Sequence, residues 1–151
     1  CLPTDHPGRN SWTAHQDWLA HVPIPAAQVH VIPAELGAEI AAAAYAETIA
    51  DQLPFDLVVL GMGEDGHTAS LFPGSADAAG PVIAVHGAAK PPAERVSLNY
   101  PSLRACRRQL ILVSGAEKAA ALAAWRQGDT LPIALAASDN ACLLVDTRAA
   151  G

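Results

Sequence analysis

The fold is decided by one stretch of the sequence, FDLVVLGMGEDGHTASLFPG, which runs from Phe55 to Gly74. Its first half is a short apolar run ending in glycine, the pattern of a strand buried on both faces of a parallel sheet. Its second half places three glycines, two carboxylates and a histidine within residues 61–67. Such a composition is not that of a hydrophobic core. Open α/β sheets bind their ligands just beyond the carboxyl ends of their strands. We therefore expect a ligand site at this turn.

Outward from this strand, apolar periodicity and the proline and glycine breaks predict alternating strands and helices. The predicted helices cover residues 10–20, 34–52, 101–106, 116–127 and 131–137, and the predicted strands cover residues 28–32, 55–60, 82–85, 95–99, 109–113 and 141–145. Trp12 and Trp18, on the first helix, are expected to cover the sheet. Such alternation predicts one α/β domain over residues 1–151, with a mainly parallel sheet flanked by helices.

Composition limits what this domain can do. Of the 151 residues, 51% are hydrophobic and 16% are charged, which excludes a disordered chain. The formal net charge of -6 argues against nucleic-acid binding, because a basic surface supplies most of that affinity. No apolar run reaches the roughly 18 residues of a membrane span, so no membrane partner is expected.

Cysteines and histidines outside the glycine turn give no sign of a disulfide framework or a metal site. Cys1, Cys106 and Cys142 are odd in number and lack C-x-x-C spacing, which favours a reduced, cytoplasmic setting. Cys106 and Cys142 have apolar neighbours and are expected in the core. The other histidines show no convergent ligand spacing and are expected to be structural or exposed. They are His6, His15, His21, His30 and His86.

The glycine turn supports two kinds of chemistry. Gly61, Gly63 and Gly66 permit positive φ and a close backbone approach to a ligand, and amides freed in such a turn favour an anion or a developing oxyanion. Asp65 and His67 lie two residues apart, so the carboxylate can fix the imidazole tautomer and raise its basicity. That pair suits a general base acting on water. A histidine at a helix start can also serve as a cap, and the spacing alone leaves both interpretations open.

The sequence around this turn resembles a known family. GMGEDGHTASLFPG closely resembles the signature of the 6-phosphogluconolactonases, within the glucosamine-6-phosphate isomerase/6-phosphogluconolactonase family. Further segments that resemble the family lie at residues 5–10, 21–30, 91–98, 115–119, 131–132 and 145–146. The resemblance implies a Rossmann-like domain that hydrolyses 6-phosphoglucono-δ-lactone, a step of the oxidative pentose phosphate pathway, without metal or cofactor.

Carried over by position, the resemblance implies roles for individual residues. His67 would deprotonate the water that attacks the lactone carbonyl, and Asp65 would orient the imidazole. Glu64 is either a further site residue or a solvated surface acid. Arg95 and Lys118 would bind the substrate phosphate, one as a bidentate fork and one as a point charge, beside the three glycines of the turn. The implied partner is a small phosphorylated sugar lactone, bound by a monomer or weak homo-oligomer.

Two departures from the family pattern stand near the start of the sequence. Family members carry an N-terminal strand–loop–helix with a Gly-Gly-Ser phosphate loop, and an Asp-Glu-Arg motif directly before the position of Cys1. We therefore expect an N-terminally truncated domain lacking that strand–loop–helix, with weak activity or none alone and a tendency to aggregate. Gly8 and Arg9 replace the family's Asp-Ser, and Arg9 is expected to be a surface charge rather than a substitute for the lost arginine.

Three other functions compete with lactone hydrolysis. The turn contains G-x-G-x-x-G, but the strand Val82–Val85 is followed by His86, not by the acidic residue that dinucleotide binding requires. An enzyme of the glucosamine-6-phosphate deaminase/isomerase type shares the DGH turn but needs a further acid, and no acid follows His67 before Asp77. A catalytically silent sugar-phosphate-binding module would keep the basic residues and lose turnover.

Overall fold

The computed structural model describes residues 1–75 and 79–151, which contain both strands and helices. The strands are β1 (Phe55–Gly61), β2 (Val82–Val85), β3 (Arg95–Leu98), β4 (Cys106–Val113) and β5 (Ala141–Val145). The helices are α1 (Asn10–Asp17), α2 (Ala38–Ile49), α3 (Tyr100–Arg104), α4 (Ala119–Arg126), α5 (Pro132–Ala136) and α6 (Thr147–Ala150). Short 3-10 turns occupy Leu19–His21, Ala26–Gln28, Ala34–Leu36, Ala50–Gln52 and Ala116–Lys118. The predicted α/β class is confirmed.

Strands β1, β4 and β5 form a parallel sheet with β4 in the centre. Gly61, at the end of β1, pairs with Leu112 near the end of β4. The turns that follow these two strands therefore emerge side by side at one edge of the sheet. Strands β2 and β3 form a separate antiparallel ladder that packs against α2, and among the described residues neither strand pairs with the parallel sheet.

The hydrophobic core lies on one face of the parallel sheet. Alternate strand residues, among them Leu60, Ile111 and Val113, pack there against buried residues of the helices such as Leu103 and Leu122. The apolar side chains on the opposite face are between 45% and 54% exposed; they belong to Leu57, Val59, Leu112 and Leu144. The interpretation of the first strand as buried on both faces is therefore wrong.

The exposed sheet face also corrects the expectation for one cysteine. Cys142 lies on β5 between residues that face the core, so its own side chain points to the open face and is exposed. Cys106, at the start of β4, is partly buried and packs against the core, near the place expected for it. The three cysteines are unpaired.

Gln109 is a buried polar residue that joins three elements inside the core. It is fully buried, and its Nε2 donates to the carbonyl oxygens of Leu103 (2.9 Å) and Ala136 (3.0 Å). Its Oε1 accepts from the backbone amide of Ser138 at 2.8 Å. A buried amide with these partners keeps α3 and the end of α5 in place on β4. The central strand itself starts at Cys106, earlier than predicted, because pairing with Phe55 begins there.

The region before α2 differs most from expectation. Trp12 and Trp18 are 38% and 53% exposed, and α1 buries no residue, so the expectation that these tryptophans cover the sheet is wrong. The predicted strand at residues 28–32 is absent from the described strands. Its last carbonyl, that of Ile32, accepts a hydrogen bond from the Arg9 side chain at 2.8 Å instead of from a neighbouring strand.

Arg9 is a buried structural residue, which corrects the expectation of a surface charge. It is only 8% exposed, its guanidinium donates to the Leu2 carbonyl, and it forms a 2.7 Å salt bridge with Glu35. Because these bonds fasten the chain before α1 to the turn before α2, Arg9 organises a segment that has little other packing.

The longer predicted helices are confirmed, with breaks. The helix expected at residues 34–52 is interrupted at Gly37, where φ is +87°, so that α2 starts at Ala38. The helix expected at residues 116–127 opens as a 3-10 turn and continues as α4. In residues 1–75 and 79–151, no helix has both the length and the apolar character needed to cross a membrane.

Candidate active site

Asp65 and His67 form a hydrogen-bonded pair in the turn after β1. His67 Nδ1 lies 2.5 Å from Asp65 Oδ1, and the His67 backbone amide donates to the same oxygen at 3.1 Å. Partial burial alone would raise the pKa of Asp65, but the hydrogen bonds from the His67 side chain and amide outweigh it and hold this pKa below its usual value. Because an ionised carboxylate only accepts hydrogen bonds, Nδ1 of His67 is the donor in this pair, and Nε2 is the ring nitrogen left to act as a base.

The three glycines of the turn differ in whether the structure requires a glycine at their position. A Cβ on Gly63 would overlap the His67 imidazole, so the ring can lie against the backbone only where no side chain exists. Gly66 adopts φ +80°, and a Cβ there would also lie 2.8 Å from the Leu131 side chain. Gly61 has neither a positive φ nor a neighbouring atom within 4 Å of the Cβ position. Positive φ is therefore confined to Gly66 among the three.

Backbone hydrogen bonds close the turn on itself. The Gly63 amide donates to the His67 carbonyl at 2.8 Å, and the Gly66 amide donates to the Gly63 carbonyl at 3.0 Å. The Gly66 carbonyl accepts from the amide of Ile133 at 3.0 Å, which ties the turn to α5. Since these two glycine amides are used internally, the expectation that they are free for an anion does not hold in this conformation. The binding role of the glycines stays a prediction.

Arg95 and His67 both lie against the aromatic ring of Phe72. The guanidinium carbon of Arg95 is 5.7 Å from the centre of the Phe72 ring, whose centre is 4.9 Å from that of the His67 ring. Nε and Nη2 of Arg95 also donate, at 2.9–3.0 Å, to the carbonyl oxygens of residues 90–92. Arg95 thus braces the loop before β3. Its predicted contact with a phosphate is not shown by this arrangement.

Glu64 links two loops through two lysines. One carboxylate oxygen is ion-paired with Lys90 Nζ, and the other lies 3.6 Å from Lys118 Nζ. The hydrogen bond from Lys90, aided by a backbone hydrogen bond and by both lysine charges, lowers the pKa of Glu64 to about 2. Lys118 is only 18% exposed and also lies 3.9 Å from Glu117. Glu64 is thus a half-exposed surface carboxylate that is ion-paired, and its role in the site stays a prediction.

Asp146 holds the turn that presents Lys118. It accepts hydrogen bonds from Ser114 Oγ at 2.8 Å and from the Gly115 amide at 3.2 Å, and it caps α6 by accepting from the Ala149 amide. The hydrogen bond from Ala149, followed by that from Ser114, lowers the pKa of Asp146. Gly115, with φ +102°, supplies the left-handed turn that leads to Lys118.

A cavity of about 410 Å³ opens beside Arg95 and is also lined by Arg9, Tyr45 and Ser70. The pair formed by Asp65 and His67 is not among its lining residues. In the part of the chain that the structure describes, no group of three or more His, Cys, Asp or Glu side chains is placed to hold a metal ion. The five histidines outside the turn are exposed, as expected.

The sequence did not predict a site role for Lys90 or Phe72, and Asp146 entered only through the family resemblance at residues 145–146. Lys90 carried a usable signal, since it is one of only two lysines in the chain and directly precedes the Pro91-Pro92 segment. Phe72 lies within the decisive stretch but reads as an ordinary apolar residue. Asp146 follows the last predicted strand, where its capping of α6 could have been foreseen.

Fold and turn together define an α/β protein of the Rossmann-like class, with its candidate site at the carboxyl edge of a parallel sheet. Within that class, the chain belongs to the family of glucosamine-6-phosphate isomerases and 6-phosphogluconolactonases, which it matches over residues 1–145. The resemblance stated from the sequence is thereby confirmed.

Several curated relatives are 6-phosphogluconolactonases. The chain is 41% identical over 139 residues to the one from Streptomyces coelicolor, a match covering 81% of this chain and 53% of the relative. It is 38% identical over 130 residues to the one from Homo sapiens, covering 80% of this chain and 50% of the relative. The chain thus spans about half the length of the curated relatives it matches.

Solved structures agree with this assignment. A crystal structure of 6-phosphogluconolactonase from Thermotoga maritima superposes with a TM-score of 0.88 at 27% identity, covering 95% of this chain and 67% of that chain. A monomeric glucosamine-6-phosphate deaminase superposes with a TM-score of 0.81 at 18% identity, which shows a shared fold alone. Both structures include further chain that this sequence does not match.

Proposed function

We propose that this protein hydrolyses 6-phospho-D-glucono-1,5-lactone to 6-phosphogluconate, with His67 as the general base on water. The observation that carries this proposal is the 2.5 Å pair between Asp65 and His67, in the turn at the carboxyl end of β1. The proposal is also supported by the family to which the chain belongs, which includes 6-phosphogluconolactonases.

In the proposed reaction, Nε2 of His67 takes a proton from a water molecule as the water oxygen bonds to the lactone carbonyl carbon. The carbonyl π electrons move onto oxygen and form a tetrahedral oxyanion. When that oxyanion collapses, the bond to the ring oxygen breaks, and the imidazolium returns its proton to the departing ring oxygen. Asp65 stabilises the imidazolium throughout, because its charge lies against Nδ1. A lactone is an activated ester, so no covalent nucleophile is needed.

Substrate positioning belongs to the same proposal. Arg95 and Lys118 are the cations we assign to the phosphate, and the glycines of the turn allow the sugar to approach the backbone. Glu64 enters as the carboxylate that contacts Lys118 at 3.6 Å. We further propose a cytoplasmic protein acting as a monomer or weak homo-oligomer; the unpaired cysteines support a reducing compartment.

The test compares His67→Ala with the unaltered chain in hydrolysis of freshly prepared lactone, measured as the rate above the spontaneous one. We expect a loss of about 10²- to 10⁴-fold, the usual contribution of a positioned general base. His15→Ala is the matched control, since His15 is exposed on α1. Undiminished hydrolysis by His67→Ala would remove His67 from the mechanism.

Two other outcomes identify the competing functions. Release of ammonia from glucosamine 6-phosphate, without lactone hydrolysis, would favour the deaminase interpretation; Asp77, the first acid after His67 in the sequence, lies outside the described residues. Binding of 6-phosphogluconate without any turnover would indicate a silent sugar-phosphate-binding module.

A further inference from the structure

Both lysines of this chain contact the same carboxylate. Lys90 lies in the loop before β3, and Lys118 ends the 3-10 turn after β4. Glu64, in the turn after β1, is ion-paired with the first and lies 3.6 Å from the second. Three loops that are far apart in sequence therefore meet at one anion, beside the pair of Asp65 and His67.

Charge balance explains why an anion occupies this position. The Lys118 side chain is 18% exposed, and a largely buried ammonium needs a counter-charge close to it. Glu64 provides one that stays ionised, since its pKa lies at about 2. Glu117 is the other carboxylate near Lys118, but it is 3.9 Å away and more exposed. Among the described residues, Glu64 is thus the principal counter-ion of this lysine cluster.

The same geometry makes Glu64 an obstacle to a phosphate. A phosphate that contacts Lys118 must approach Glu64, and the two negative charges repel each other. Glu64 is half exposed, so its side chain can rotate into solvent. The position it vacates lies between two ammonium groups.

We propose that Glu64 is an internal stand-in for the substrate phosphate, and that Lys90 is a further phosphate-binding residue exposed by its displacement. The incoming phosphate takes over the contacts with Lys90 and Lys118, and Glu64 leaves the cluster. Arg95 is a positioning residue in this exchange, because its hydrogen bonds to the carbonyls of residues 90–92 hold the loop that carries Lys90. The inference rests on the proposed function for the substrate's identity, but the exchange itself requires only a phosphate.

Calorimetric titration with inorganic phosphate at low salt tests the exchange without relying on turnover. Removing the competing charge in Glu64→Gln should tighten phosphate binding about fivefold or more. Glu117→Gln is the matched control: it removes a carboxylate from Lys118 without freeing Lys90, and should change affinity by less than about twofold. Unchanged affinity in Glu64→Gln, or an equal gain in Glu117→Gln, overturns the role of Glu64.

A double variant tests Lys90. In Glu64→Gln/Lys90→Gln, phosphate should bind at least about fivefold more weakly than in Glu64→Gln alone, because one of the two ammonium groups is gone. Equal binding by the two variants would show that Lys90 only anchors Glu64, and would overturn its assignment to the phosphate.

Lactone hydrolysis measured on the same variants separates this inference from the proposed function. Phosphate affinities that shift as expected, in a chain that hydrolyses no lactone, would support the exchange and contradict the proposed function. Hydrolysis that depends on His67, with phosphate binding indifferent to Glu64, would support the function and refute the exchange.

Discussion

Replacing Gln109 with leucine should destabilise the domain strongly, although the two side chains are similar in size. Leucine removes both hydrogen bonds to the Leu103 and Ala136 carbonyls and the acceptor for the Ser138 amide, all at a fully buried position. Each buried backbone group left without a partner costs about 1–3 kcal/mol, partly offset by the better burial of leucine. We expect a loss of about 2–5 kcal/mol, a large part of the roughly 5–15 kcal/mol that stabilises a domain.

Urea and thermal unfolding followed by circular dichroism measure this loss. For a domain of this size it corresponds to a fall in Tm of roughly 5–15 °C. Gln127→Leu is the matched control, since Gln127 is exposed at the end of α4, and it should change stability by no more than about 0.5 kcal/mol. If Gln109→Leu were as stable as the unaltered chain, the buried amide would have no structural role and the reasoning would be refuted.

Two further predictions concern the turn after β1. Gly63→Ala forces the imidazole off Asp65 by about 1 Å or more, so lactone hydrolysis should fall about 10²-fold; a near-normal rate would mean that the ring need not stay where it lies. Asp65→Asn should lose a pH-dependent part of stability, under about 1 kcal/mol for so exposed a group. Because the pKa of Asp65 is lowered in the folded state, this contribution to stability is present above about pH 3.9 and disappears as the pH falls through the folded pKa. The urea midpoints measured at pH 7 and pH 2.5 should therefore differ more for the unaltered chain than for the variant.

Much of this architecture could be predicted from the sequence because its signals are local. The run before Gly61 gives the strand, and the spacing of Asp65 and His67 gives their contact, since two residues in a tight turn have little freedom to lie apart. The alanine-rich stretch that becomes α2 likewise needs only its own propensity.

The errors arose where the outcome depends on distant partners. Residues 28–32 have the alternation of a strand, but a strand requires a neighbour, and the Ile32 carbonyl bonds instead to a buried arginine. Arg9 looked like a surface charge because neither Glu35 nor the two carbonyls it binds can be inferred from its own surroundings.

In the candidate site, too, contacts between residues distant in sequence could not be predicted. The contact of Lys90 with Glu64 joins loops 26 residues apart, and no periodicity or spacing rule connects them. The position of Arg95 over the Phe72 ring likewise depends on how the β2–β3 ladder lies against the turn. Sequence could suggest which residues carry charge here, but not which of them would neutralise one another.

The placement of both lysines in one cluster has a chemical consequence. Reagents that methylate amines find only two side-chain amines in this sequence, Lys90 and Lys118, and both lie at the candidate site. Lys90, 49% exposed, offers the more accessible nucleophile, whereas Lys118 is shielded. The extent of lysine labelling, measured by peptide mass spectrometry, therefore reports on this one location. Lysine methylation, a routine aid to crystallisation, would alter the same two groups and leave the remaining side chains untouched.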